Sequence, residues 1–169
     1  MRTRFRSLIA AVAVTAAALT GGIVAAAPAS AAPPAPAPKP LQRFSLYGET
    51  LFTVGDHDSC RGSLAFSFSS PKRGVARLTL RSNGFTGNGP GWQRNPKCRT
   101  LVITTHLSGN AFLKETPFTA EFGRKPGEKV SHDIATGSGL VSFGVGTYAI
   151  GSPIRLPQSF PLGSYVIVP

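Results

Sequence analysis

Strict alternation of apolar and polar side chains is the feature that most constrains the fold of this chain. In residues 60–70, CRGSLAFSFSS, Leu64, Phe66 and Phe68 share one parity with Cys60, whereas serines dominate the other. A period of two places these sets on opposite faces of a β-strand, one toward a core and one toward water. The segment therefore predicts a strand of an antiparallel sheet with one buried face.

The next segment repeats the alternation after a turn and predicts the partner strand. Residues 71–74, PKRG, form a hairpin-turn signal, because Pro and Gly suit tight turns. The return strand, residues 75–81, is expected to pair antiparallel with the first. Ala76, Leu78 and Leu80 should point inward, and Arg77, Thr79 and Arg81 outward.

Further short segments of this kind, separated by Gly, Pro and charged turns, continue to residue 168. Leu101, Ile103 and Leu107 share one face of a strand, and Val102 on the other face predicts a central strand partly covered on both sides. No window from residue 41 onward has a helical apolar period. We predict an all-β fold, a single antiparallel β-sandwich or flattened barrel of about eight to ten short strands, with almost no helix.

The two cysteines, Cys60 and Cys98, are predicted to form a disulfide, because paired cysteines are usual in exported chains. The bridge would close a loop of 38 residues. The chain-entropy model assigns such a loop about 3–4 kcal/mol.

Residues 1–31 have the pattern of a secretory signal peptide. Arginines precede an apolar run over residues 8–24, and Ala29-Ser30-Ala31 supplies the small-x-small cleavage pattern. The absence of a nearby cysteine and of an adjacent arginine pair favours the general secretory route. We predict export, with no transmembrane helix after residue 31; the Ala-rich leader is typical of high-GC bacteria. Residues 32–40, APPAPAPKP, predict an extended, disordered spacer, and residues 41–169 the sandwich domain.

The exported part of the chain is strongly basic. Of 18 Lys and Arg residues three lie in the leader, which leaves 15 basic against 7 acidic groups and a net charge of +8. This charge favours an anionic partner. Export points to a cell-wall polymer, a glycan or an anionic lipid surface rather than to nucleic acid.

Residues 87–98, GNGPGWQRNPKC, stand out because the sole Trp lies there between cationic residues. The Gly and Pro content predicts an irregular connection fastened at its end by the disulfide. An exposed indole would contact a ligand, and a buried one would cover one end of the core. The predicted contact residues are Trp92, Arg94, Lys97, Arg99, Arg77 and Arg81.

No pattern predicts catalytic residues or a cofactor. The only histidines are His57, His106 and His132, and no Gly-x-Ser-x-Gly elbow is present. The cluster Asp56-His57-Asp58 holds the most potential metal ligands, but it lacks calcium-loop spacing, and Asp is common in turns. We therefore predict no metal site.

The predicted function is non-enzymatic binding of an anionic or glycan partner at the cell envelope or outside the cell. A secreted effector, either a toxin or an enzyme inhibitor, is the alternative, and a small secreted hydrolase built on one of the histidines is a third possibility. In residues 138–151, SGLVSFGVGTYAIG, small residues on one face also allow close packing of another chain. The sequence does not predict an oligomeric state.

Overall fold

The computed structural model describes residues 37–45, 47–109 and 111–169, except for the side chain of residue 111. The predicted signal peptide and most of the predicted spacer lie outside these residues. The described residues form ten strands and one short helix. The elements are β1 (Lys39–Pro40), β2 (Arg43–Ser45), β3 (Thr50–Val54), β4 (Arg61–Lys72), β5 (Val75–Thr86), α1 (Pro90–Arg94), β6 (Lys97–Ser108), β7 (Ala111–Gly123), β8 (Lys129–Ala135), β9 (Gly139–Tyr148) and β10 (Leu162–Val168).

Two antiparallel sheets of five strands each pack face to face, as the alternation predicts. Sheet A has the order β1-β4-β5-β8, and β3 also pairs with β4. Sheet B has the order β2-β10-β9-β6-β7. The prediction of an antiparallel β-sandwich of eight to ten strands is thus confirmed. β1 pairs with β4, so regular structure begins two residues before the predicted boundary at residue 41.

The β4–β5 pair follows the predicted register of inward and outward residues. Phe66 lies opposite Leu80, and Phe68 lies opposite Leu78, with all four side chains buried. The strands turn at residues 73–74, where Gly74 has a positive φ of 72°. Glycine adopts this left-handed conformation without a steric penalty.

In strand β6 the face that is turned toward the core is not the more apolar face of the sequence. Val102 and Ile103 are both buried, which confirms a strand covered on both faces at this point. However, Leu107 is exposed, and the residues that face sheet A with Val102 are largely polar, among them Thr104 and His106. The apolar parity of this strand therefore lies on the outer face of the sandwich.

Aromatic stacking joins the two sheets across the core. Phe68 of sheet A stacks on Phe143 of sheet B with ring centroids 4.6 Å apart, and Phe85 stacks on Phe122 at 5.6 Å. The predicted disulfide is present, with Cys60 next to β4 and Cys98 in β6, so it ties one sheet to the other. Within the described residues, no helix has the length and apolarity needed to cross a membrane.

Candidate functional site

The Trp92 segment is a plug over one end of the core. The indole is only 3 % exposed and belongs to the main apolar cluster, so the structure supports the covering role rather than the ligand contact. The prediction of an irregular connection is wrong in part, because residues 90–94 form the one-turn helix α1 with Pro90 in its first turn. Gly87 lies against the indole, where a Cβ would come within 2.8 Å of the ring.

The cluster Asp56-His57-Asp58 fastens this plug from the β3–β4 connection. Asp58 accepts a hydrogen bond from the backbone N–H of Trp92. His57 Nε2 lies 3.1 Å from the carbonyl oxygen of Asn95, which follows α1. Asp56 accepts hydrogen bonds from the backbone N–H and from Nε of Arg99, at 3.0 and 2.9 Å. Each residue of the triplet therefore has its own partner on the segment that contains Trp92.

These contacts also account for the charges of the triplet. Partial burial opposes ionisation of Asp56, but hydrogen bonds from His57 and Arg99 hold its pKa below the ordinary value. The Asp56 carboxylate and the Asn95 carbonyl raise the pKa of His57, because both accept hydrogen bonds and so favour the imidazolium. Both carboxylate oxygens of Asp56 and one of Asp58 thus accept hydrogen bonds from protein donors. The sulfur of nearby Cys60 is committed to the disulfide.

The predicted basic contact region is largely neutralised by ion pairs. Arg77 donates two hydrogen bonds to Asp133, at 2.6 and 2.8 Å, and these lower the pKa of Asp133. Lys97 lies 3.3 Å from Glu128, and Arg99 pairs with Asp56.

The remaining cations of that prediction do not form one surface. Among the described residues, Arg81 and Arg94 have no carboxylate within ion-pair distance. Arg81 lies on the outer face of sheet A opposite Lys129, whereas Arg94 belongs to α1 and Arg99 to sheet B. The structure therefore does not bring the predicted contact residues together on one surface.

A groove at the same end of the sandwich brings together residues that the sequence did not indicate. It begins at a β-bulge, where Asn83 and Gly84 of β5 together oppose Ser63 of β4. Gly84 has a φ of 99°, and a Cβ there would come within 2.9 Å of the Arg124 carbonyl. The bulge therefore needs glycine and lets the β7–β8 turn approach closely.

Backbone hydrogen bonds fix that turn against the bulge. Ser82 donates its N–H to the Glu128 carbonyl at 2.9 Å and accepts the Gly127 N–H at 2.7 Å. The Arg124 guanidinium lies over the Trp92 ring, 5.7 Å from its centroid. The plug and the bulge thus position the same arginine.

The groove has a volume of about 660 Å³ and combines cationic, amide and aromatic groups. Arg61 and Arg124 line it, and within the described residues neither lies within ion-pair distance of a carboxylate. Phe52, 74 % exposed, forms one wall, and none of the described residues that line the groove is acidic. Side-chain amides are available from Asn83 and Gln158. Two unpaired guanidinium groups in an acid-free groove are suited to a carboxylate or a phosphate.

The histidines considered for a hydrolase lie apart from this groove. His132 shares a face with apolar residues of β8, as predicted, and its ring stacks on Phe118 at 4.6 Å. His106 is buried between the sheets, 5.8 Å from the Phe143 ring, and neither of its ring nitrogens has a hydrogen-bond partner among the described residues. Burial lowers the pKa of His106, and the charge of Lys114 adds to this effect.

His106→Leu is expected to reduce the loss of stability on acidification. As the pH falls below about 6.5, the unfolded chain protonates His106 before the folded chain does, so stability falls until the lower folded pKa is passed. Leucine abolishes this proton uptake. It should also raise the free energy of unfolding at pH 8 by roughly 1–2 kcal/mol, because it removes buried unpaired polar atoms. Urea unfolding at about pH 5 and about pH 8 measures both effects.

His57→Gln provides the contrasting variant in the same experiment. The folded pKa of His57 is raised, so its contribution is fully present below about pH 6.5 and is lost as the pH rises through the folded pKa. This variant should therefore lose more stability at pH 5 than at pH 8. An acid dependence of His106→Leu equal to that of the wild type would contradict the role given to His106.

Comparisons of the chain with protein-family models, curated proteins and solved structures find no match.

Proposed function

We propose that the chain is an exported, non-enzymatic binding protein whose partner is an anionic glycan of the cell envelope or the extracellular medium. The observation that carries this proposal is the groove in which Arg61 and Arg124 lie without carboxylate partners among the described residues. Export itself rests on the leader pattern of residues 1–31.

The chemistry of the groove favours an acidic sugar over a bare anion. A guanidinium binds a carboxylate or a phosphate through two parallel hydrogen bonds. Phe52 offers a flat apolar surface on which the C–H face of a sugar ring can pack, and Asn83 supplies both a donor and an acceptor for hydroxyl groups. The described residues that line the groove include no histidine, carboxylate or cysteine that could act as a general base or activate the Ser63 hydroxyl, which supports binding rather than catalysis.

The double variant Arg61→Gln/Arg124→Gln is expected to weaken binding to polygalacturonate by about tenfold or more. The reason is that each charge-assisted hydrogen-bonded pair contributes roughly 1.5–3 kcal/mol. Affinity electrophoresis in gels that contain polygalacturonate measures the loss, and neutral dextran shows the background. Poly(glycerol phosphate) as a second polymer separates a carboxylate preference from a phosphate preference.

The matched control is Arg81→Gln/Arg94→Gln, which changes the net charge equally at two cations that also lack ion pairs in the described residues. The affinity of this control for polygalacturonate should fall by less than threefold, because the contribution of exposed surface charges is screened by salt. Equal losses in the two double variants would show that binding follows net charge and would remove the groove from the proposal.

A further inference from the structure

Among the described residues, most of the width of the outer face of sheet B carries no charged side chain. Its outward positions on β2, β9, β10 and the Leu101–Leu107 part of β6 are apolar or small, and they define the apolar face. Its solvent-exposed large side chains are Phe44, Leu107, Leu140, Tyr165 and Ile167, with the small residues Ser142, Gly144 and Gly163 beside them, whereas Ile103 and Gly146 are buried.

Several of these side chains are large and open to solvent. Ile167 is 70 % exposed, and Leu140, its partner across β9 and β10, is 64 % exposed. Phe44, Tyr165 and Leu107 are exposed in the adjoining row across the sheet. The outer face of an antiparallel sheet is ordinarily polar, and a contiguous exposed apolar face marks an interaction surface.

The apolar face also has a raised row and a lower row of side chains, which are complementary between two copies. Next to the row of large side chains lies a row of small residues in which Gly163 is opposite Gly144, and the Thr105 hydroxyl lies against Gly144. Beyond it, Pro161 and the Tyr148 ring cover Gly146. A ridge thus runs beside a shallow trough, and a twofold rotation brings the ridge of one copy over the trough of the other.

The distribution of charge favours a second copy over an anionic membrane. Two cations of this region are paired with acids: Arg43, which lies over the Phe66 ring, with Glu49 at 2.8 Å, and Arg155 with Glu115 at 2.7 Å. By contrast, Arg81 and Lys129 lie unpaired among the described residues on the outer face of sheet A. An anionic lipid surface would attract sheet A and gain little from the apolar face. Two apolar faces in contact keep these like charges on opposite sides of the assembly.

We propose that the chain forms a homodimer through the apolar faces of two copies. This contact lies on a different face from the groove residues of sheet A, so the groove can remain open in the dimer. Small residues at the centre of the face let the two sheets approach closely, and the large side chains of the ridge supply the buried apolar area.

Sedimentation equilibrium of the purified chain over a roughly hundredfold range of concentration tests the proposal. The wild type should show a reversible monomer–dimer equilibrium. Leu140→Lys/Ile167→Lys should raise the dissociation constant by about a hundredfold or more, because it places unpaired charges in an apolar contact. The matched control, Ser67→Lys/Ala135→Lys, adds the same charge at exposed positions of sheet A and should dimerise like the wild type.

Gly163→Val gives a second test that preserves charge. A Cβ at this position meets only the Phe143 carbonyl, at 3.9 Å, so the monomer accommodates the side chain while the trough is filled. Its dissociation constant should rise by about tenfold with an unchanged melting temperature. A wild type that remains monomeric throughout, or a dimer that survives both changes to the apolar face, would overturn the proposal. Flotation of the wild type with phosphatidylcholine vesicles, lost in Leu140→Lys/Ile167→Lys, would assign the face to lipid and would equally overturn it.

Discussion

Trp92→Ala is expected to lower the free energy of unfolding by about 3–5 kcal/mol, a large share of the roughly 5–15 kcal/mol typical of a small domain. The indole is buried in the same cluster as the stacked rings of Phe85 and Phe122, and its removal opens a cavity at that end of the core. Denaturant unfolding followed by far-ultraviolet circular dichroism measures the loss without relying on tryptophan fluorescence.

Two neighbouring changes make this result specific. Gln93→Ala, on an exposed residue of α1, should change the free energy of unfolding by less than about 0.5 kcal/mol. Trp92→Phe keeps an aromatic ring and should lose less than Trp92→Ala. A loss below about 1 kcal/mol for Trp92→Ala would contradict the plug, because removal of a core indole ordinarily costs several times more free energy of unfolding.

Folded Trp92→Ala should also bind polygalacturonate more weakly, since Arg124 loses the ring on which it lies.

Replacing Cys60 and Cys98 together with Ala is expected to lower the free energy of unfolding by about 3–4 kcal/mol. The reason is that the disulfide closes a loop of 38 residues and restricts the unfolded chain, and it also ties sheet A to sheet B. The dependence of the unfolding free energy on denaturant should become steeper, because an unfolded chain without the bridge exposes more surface.

Reductant supplies the internal control for the disulfide. It should destabilise the wild type by a similar amount and leave the double alanine variant unchanged. Free-thiol labelling of the denatured, unreduced wild type should detect no thiol. Reactive thiols under those conditions, or equal stability of wild type and variant, would contradict the structural role of the bridge.

The strands with strict alternation could be predicted from the sequence alone. In β4 and β5 the inward residues are apolar except for the buried Ser70 and Ser82, so pattern, register and burial agree over most of both strands. The disulfide was predictable for a different reason, because two cysteines in a chain whose sequence predicts export have few other uses. Both conclusions rest on local chemistry that tertiary packing did not override.

β6 shows where the pattern fails. Its leucines and Ile103 share one parity, yet the sandwich turns Thr100, Thr104 and His106 toward the core. The register is decided by the partners β7 and β9 over the whole sheet, and one strand with apolar residues on both faces does not specify its own orientation. The same property leaves an apolar outer face for a second copy.

The plug was unpredictable because its stabilising contacts are distant in sequence. Gly87 and Gly91 marked a loop, whereas in the structure they make room for the indole and for the Asp58 carboxylate. Asp56-His57-Asp58 has the composition of a ligand cluster, but its partners lie more than 30 residues away, between Trp92 and Arg99.

The groove was missed for the same reason. Arg61 and Arg124 are 63 positions apart, and the β5 bulge and the β7–β8 turn bring them to one groove. One signal was present: Gly84 interrupts an otherwise regular strand, and glycine in a strand interior often marks a bulge or a close backbone approach. That signal indicates a location, and the ligand chemistry follows only from the side chains that converge there.

A two-dimensional amide NMR titration with an oligomer of galacturonic acid tests the groove most directly. We expect saturable shifts that concentrate at Phe52, Asn83 and Gly84 and in the side-chain Nε signals of Arg61 and Arg124. Arg61→Gln/Arg124→Gln should abolish saturation while leaving the remainder of the spectrum unchanged. Shifts confined to Arg81, Arg94 and Lys129, or no saturation in the wild type, would contradict this expectation.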